Sequence, residues 1–75
     1  MTLDSVALGV PVRVVGFAGM SDSDEIRLGG LGLRAGVPVT KILVTPLRDP
    51  VECLVGSQLL AVETRLLRHI RVEAE

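Results

Sequence analysis

Cys53 and His69 are the only cysteine and the only histidine in the 75 residues, and their side chains could do metal or nucleophilic chemistry. A thiolate and an imidazole both bind transition metals such as iron or zinc. Cys53 alternates with Val51 and Val55, so we expect it to point into the core. We expect His69 to be solvated, since one imidazole makes a poor transition-metal site. Our interpretation is that no cofactor is required; the two residues remain the candidates for a divalent metal site.

An acidic segment resembles the start of a calcium-binding loop, with Asp22, Asp24 and Glu25 close together. Such a loop needs a glycine where Arg27 stands and a glutamate where Leu33 stands. Acidic side chains also suit the positive end of a helix dipole. We therefore interpret the segment as the beginning of a helix.

The residues Gly30-x-Gly32-x-x-Ala35 match the sequence pattern of a dinucleotide-binding fingerprint but lack its structural context. That fingerprint must follow a strand and open a helix, whereas here it ends a predicted helix. Catalysis needs a nucleophile, a base and an orienting group together in a pocket. One Cys and one His do not supply such a set, so we expect no enzymatic activity.

Three arginines recur at every third position near the end of the chain, at Arg65, Arg68 and Arg71, and a basic stripe of this kind could face a phosphate or an acidic partner. Glu63 and Glu73 flank the stripe, which favours a solvated face. The net charge is -1, so bulk electrostatics does not predict a nucleic-acid partner.

Composition indicates one small aliphatic core spanning residues 1–75 as a single domain. Hydrophobic residues make up 48% of the chain and aromatic residues 1%, and Phe17 is the one ring. A single ring gives little for base stacking. The acidic Asp4 stands where a signal peptide carries basic residues, and no apolar run approaches the ~18 residues of a membrane span. We therefore expect a cytoplasmic protein.

Alternating valines, glycines and prolines predict five short strands and two short helices. Pro46 and Pro50 mark a loop between strands, and Gly32 is placed as a helix cap with Leu33 as its apolar contact. A change of phase predicts a bulge near Thr40–Lys41. The predicted strands are 12–17, 37–45, 51–55, 59–62 and 70–72, with a helix at 22–31 and a helical turn capped by Thr64. Five strands around one core imply a mostly β barrel.

The glycine and proline pattern resembles that of the ferrous iron transport protein A (FeoA) family over about residues 3–72. The segment Leu28-x-x-Leu31-Gly32-Leu33-x-x-Gly36 is followed by a strand, then by Pro46-x-x-Asp49-Pro50, and a hairpin closes at Gly56. Thr45 and Arg48 stand where that family usually has alanine and glycine.

The resemblance implies an SH3-like β-barrel that is a non-enzymatic adaptor of bacterial ferrous iron uptake. Its implied partner is the membrane ferrous iron transporter, which carries a cytoplasmic GTPase domain. An alternative is a regulatory module that binds a transition-metal ion. A second copy of the chain is a further candidate partner, through an apolar strand edge. The predicted partner-binding residues are Leu31, Leu33, Pro46, Leu47, Arg48, Asp49 and Pro50.

Overall fold

The computed structural model describes residues 1–75, which form one antiparallel sheet of five strands with two short α-helices. The strand order is β4-β3-β2-β1-β5, and each strand is antiparallel to its neighbours. This confirms the predicted mostly β architecture. In chain order the elements are a 3-10 turn at Leu3–Ser5, β1 at Val12–Phe17, α1 at Asp22–Gly30, β2 at Pro38–Val44, β3 at Val51–Val55, β4 at Gln58–Val62, α2 at Thr64–Leu67 and β5 at Ile70–Ala74.

The core is aliphatic, as the composition predicts. Alternate residues of each strand face inward, so Val12 and Val14 of β1 are buried while Arg13 between them is exposed. Phe17 lies half-buried at the margin of the core. The buried cluster comprises Leu3, Val6, Val12, Val14, Leu28, Leu33, Val39, Val51, Cys53, Val55, Val62, Leu66, Leu67, Ile70 and Val72.

The α1 helix has the ends that its sequence predicts. Ser21 Oγ accepts a hydrogen bond from the Asp24 amide at 3.2 Å and caps the first turn. At the other end Gly32 takes φ 101°, and the Leu33 amide donates to the Leu28 carbonyl at 2.9 Å. This closes the helix with a left-handed residue and brings two fully buried leucines together.

The bulge in β2 lies one residue beyond its predicted position. The β2–β3 register shifts between Lys41 and Leu43, so Ile42 is the extra residue. The predicted bulge is confirmed to within one residue, and the small offset arises because the alternation treats a lysine as outward-facing. Here Lys41 is buried, and its Nζ donates to the Asp4 carbonyl at 3.3 Å, so the phase changes only after it.

The first residues of the chain form a turn that the sequence pattern did not predict. Leu3 is fully buried, and the Val72 amide of β5 donates to the Met1 carbonyl at 2.9 Å. Thr2 forms a bridge with Arg71. The N-terminal segment therefore covers the outer edge of β5. Neither α-helix has the length and apolar character needed to cross a membrane.

Candidate functional site

The loop between β2 and β3 presents the most exposed large apolar side chain of the protein. Leu47 is 88% exposed. A backbone hydrogen bond closes the base of the loop, where the Arg48 amide donates to the Thr45 carbonyl at 2.8 Å. Thr45 Oγ1 donates to the Pro50 carbonyl at 3.0 Å. These bonds hold the loop in one shape, so Leu47 points outward from a fixed base.

Two hydrogen bonds tie this loop to α2. Thr64 Oγ1 donates to the Arg48 carbonyl at 2.6 Å, and the Thr64 amide donates to Asp49 Oδ1 at 2.7 Å. The first amides of a helix have no partner within the helix, so the Asp49 carboxylate caps α2 from a distant segment. The prediction that Thr64 caps this helix is wrong. Thr64 is its first residue, and its hydroxyl donates to the loop.

Arg48 adopts a backbone conformation that favours glycine, with φ 63°. A side chain in the left-handed region costs about 1 kcal/mol or more, because Cβ crowds the following carbonyl. The two bonds to Thr64 and the bond to Thr45 help to hold it there. The loop thus keeps its shape with an arginine where the resemblance implies glycine.

Exposed leucines lie on the outer side of β2, β3 and β4. The strand register aligns Leu54 directly with Leu59, while Leu43 and Ala61 flank Glu52 on the same side. The fractional exposures of Leu43 and Leu59 are 56% and 69%. Scattered exposed leucines are ordinary, whereas a group on one sheet face marks an interaction surface. We define the outer apolar face as Leu43, Leu54, Leu59 and Ala61.

The sequence reasoning missed this outer apolar face. Its signal is present in β4, where Leu59, Leu60 and Ala61 are apolar in both phases of the strand. A strand with one solvated face normally alternates apolar and polar residues. The uninterrupted apolar run therefore indicated a second apolar side.

The two leucines predicted near the end of α1 have different surroundings. Leu31 is half-exposed at the C-cap and stays available for contact. Leu33 is fully buried against the core, which corrects its prediction as a partner-binding residue. The physical reason is the helix-ending motif, which turns the residue after Gly32 back onto Leu28.

An ionic network links α1 to α2 on the surface. Arg27 donates to Glu63 at 2.6 Å, and Arg65 donates to Asp24 at 3.1 Å. The hydrogen bond from Arg65 is the main cause that lowers the pKa of Asp24 to about 2. Arg65, one of the three arginines of the predicted stripe, is thus paired with acidic groups, as expected of a solvated face.

Cys53 and His69 lie on strands or turns that the sheet keeps apart. Cys53 is fully buried in β3, which confirms the core interpretation, and burial raises the pKa of its thiol to about 11. His69 precedes β5, and β1 and β2 separate β5 from β3. No cluster of three or more His, Cys, Asp or Glu side chains is placed to hold a metal ion.

His69 is half-buried, whereas we expected it to be solvated, and both its ring nitrogens are engaged. Nδ1 lies 2.8 Å from the Ala18 carbonyl, which can only accept, so Nδ1 carries the proton. Nε2 is then the acceptor for the Arg68 Nε–H at 3.3 Å. The lone pair that a metal would need is directed at a guanidinium.

A five-stranded antiparallel sheet with short helices and an aliphatic core places this protein in the SH3-like class. A sequence profile of the FeoA domain matches residues 1–74. The chain therefore belongs to the FeoA domain family.

Solved structures of FeoA proteins superimpose closely. The FeoA protein from Chlorobium tepidum is 27% identical with a TM-score of 0.90, covering 99% of this chain and 70% of that one. Iron(II) transport protein A from Clostridium thermocellum is 30% identical with a TM-score of 0.84, covering 99% of this chain. This chain spans 45% of that protein's length.

A zinc complex of FeoA from Stenotrophomonas maltophilia shares the fold at 24% identity, with a TM-score of 0.79, covering 97% of this chain and 89% of that one. It is described as a unique prokaryotic SH3-domain protein and a candidate ferrous iron transport activating factor. No curated protein matches the sequence.

Proposed function

We propose that this chain is a non-enzymatic adaptor of bacterial ferrous iron uptake that acts in the cytoplasm. Its partner is the cytoplasmic part of the membrane ferrous iron transporter. Membership of the FeoA family supports this function, as does the description of the Stenotrophomonas protein as a candidate transport activating factor. The contact surface is the Pro46–Pro50 loop together with Leu43 of the outer apolar face.

The observation that carries the proposal is the exposure of Leu47 on a loop with a fixed base. A leucine that is 88% exposed gains apolar burial only when a partner covers it. The bonds from Thr45 and Thr64 fix the loop beforehand, so binding orders few additional groups. The Asp49 carboxylate and the Arg48 carbonyl already accept hydrogen bonds from Thr64. We therefore assign Asp49 and the Arg48 backbone to positioning the loop, and Leu47 to the contact itself.

Binding of the purified chain to cytoplasmic fragments of the transporter tests this surface. We expect Leu47→Lys to weaken binding at least about tenfold, since it removes a buried apolar anchor and places a charge at the contact. Ile26→Lys on α1 is the matched control, because Ile26 is 75% exposed and far along the chain from the loop. Equal binding by the two variants contradicts the assignment of the loop.

A metal-dependent regulatory role is the alternative, and the zinc complex of the Stenotrophomonas protein is the observation that favours testing it. The donor set in this chain does not suit such a site, since Cys53 is buried with a pKa of about 11 and His69 Nε2 accepts from Arg68. We expect calorimetric titration with ferrous iron or zinc to give no saturable heat at micromolar protein. A saturable isotherm that His69→Ala abolishes would show a metal site at His69, which the regulatory role requires.

A further inference from the structure

The two edge strands of the sheet, β5 and β4, differ in how they are covered. The β5 edge is covered by the N-terminal segment, through the Val72 amide bonded to the Met1 carbonyl at 2.9 Å and the bridge between Thr2 and Arg71. The β5 strand also carries charges at Arg71 and Glu73. Coverage and charge are the usual means by which a strand edge avoids pairing with another chain.

The β4 edge has neither form of protection. β4 pairs only with β3, and no hydrogen bond outside the sheet involves residues 58–62. Its sequence, Gln58-Leu59-Leu60-Ala61-Val62, has no charged residue and no proline, and its register with β3 has no bulge. An uncharged, regular, apolar edge is a template for one more strand.

The hairpin register shows which backbone groups the edge offers. Gly56 and Ser57 form a two-residue turn, so Val55 and Gln58 are the hydrogen-bonded pair next to it. Hydrogen-bonded pairs alternate along an antiparallel ladder. The amides and carbonyls of Gln58, Leu60 and Val62 therefore face β3, and those of Leu59 and Ala61 point away from it.

We infer that β4 pairs with β4 of a second copy of this chain, antiparallel about a twofold axis that passes beside Leu60. In this register Leu59 lies opposite Ala61 of the second copy, and Ala61 lies opposite Leu59. Both pairs use the outward amides and carbonyls, giving about four hydrogen bonds between the chains. The two sheets become one continuous sheet.

A second copy fits this edge because the strand is complementary to itself. On the outer side, the large Leu59 of each copy lies beside the small Ala61 of the other copy. The twofold axis makes this pair occur twice. No charge in residues 56–62 opposes its symmetry mate, and the net charge of -1 adds little repulsion between copies.

Sedimentation equilibrium of the full chain tests the inference, with amide hydrogen exchange at low and high concentration. We expect concentration-dependent dimers, and amide exchange at Leu59 and Ala61 at least about tenfold slower in the dimer. Ala61→Pro removes one outward N–H and no bond to β3, so we expect it to weaken dimerisation at least about tenfold. Leu59→Lys gives a second perturbation that leaves the backbone unchanged, with the same expected result.

Ile26→Lys is the control, because it changes an exposed apolar residue of α1, outside β4, and should leave dimerisation unchanged. A monomer at every concentration up to about 1 mM, which corresponds to a binding free energy weaker than about −4 kcal/mol, overturns the inference. So does a dimer in which the Leu59 and Ala61 amides exchange as fast as in the monomer, since the copies then meet elsewhere. This test is independent of transporter binding.

Discussion

Replacing Asp49 by alanine removes the acceptor that caps α2 from the β2–β3 loop. The bond joins Asp49 Oδ1 to the Thr64 amide at 2.7 Å, and the Glu63 side chain at the N-cap position supplies no replacement. Loss of a helix cap costs about 0.5–2 kcal/mol, and a hydrogen bond to a charged group contributes about 1.5–3 kcal/mol. Because Asp49 is exposed, solvent competes for it, and we expect the free energy of unfolding to fall by about 1 kcal/mol.

Urea and thermal denaturation measure this loss. For a domain of this size, 1 kcal/mol corresponds to a decrease in Tm of about 4–8 °C. Asp49→Asn keeps an acceptor oxygen, so we expect it to retain part of the stability. Glu73→Ala on β5 is the control, because Glu73 is an exposed acid in no ion pair and its removal should change stability by less than about 0.5 kcal/mol.

A double-mutant cycle separates the cap from general loop effects. Thr64→Ala removes the hydroxyl bond to the Arg48 carbonyl and keeps the amide that Asp49 accepts from. Both bonds hold the same loop against the same helix, so we expect the two losses to be coupled by at least about 0.5 kcal/mol. If Asp49→Ala is as stable as the Glu73→Ala control, Asp49 does not cap α2 and the reasoning about the loop is refuted.

Four further results are expected. Arg48→Gly should raise stability by about 0.5–1 kcal/mol in urea denaturation, since φ 63° suits glycine and part of the gain is lost to the more flexible unfolded chain; a less stable variant contradicts this. Leu33→Ala should cost about 2–5 kcal/mol and the half-exposed Leu31→Ala under about 1 kcal/mol, and similar losses would show that Leu33 is not in the core. The pKa of Asp24 is lowered to about 2, so its stabilisation is present above pH 3.8 and is lost as pH falls toward 2; acid denaturation of Asp24→Asn should lack that component, and an unchanged profile counts against the network. Cys53, with its pKa raised to about 11, should react with thiol reagents at pH 8 only on unfolding, and rapid labelling of the folded chain would show that it is accessible.

Sequence reasoning placed most elements because their signals are local. The alternation of Val12 and Val14 identifies β1. Gly32 identifies the end of α1, where the Leu33 amide donates to the Leu28 carbonyl five residues earlier. The mostly β class and the five strands follow from such short-range patterns. These predictions were confirmed because a glycine cap or a strand alternation involves only neighbouring residues and depends little on the rest of the fold.

The candidate site depends on contacts between residues far apart in the sequence. Asp49 meets Thr64 across 15 positions, and Lys41 is buried because its ammonium reaches the Asp4 carbonyl 37 positions away. No local pattern predicts either pairing, since a lysine or an aspartate is solvated by default.

The sequence by itself determined the strands, the helix cap and the aliphatic core, because each follows from the period and the conformational preference of adjacent residues. Only the tertiary structure decided that Leu47 is held outward, and that β4 has a free edge while the N-terminus covers β5. The exposure of a side chain or a strand edge depends on which segments pack against it. Those segments are far apart in the sequence, so the packing requires the chain to close over long separations.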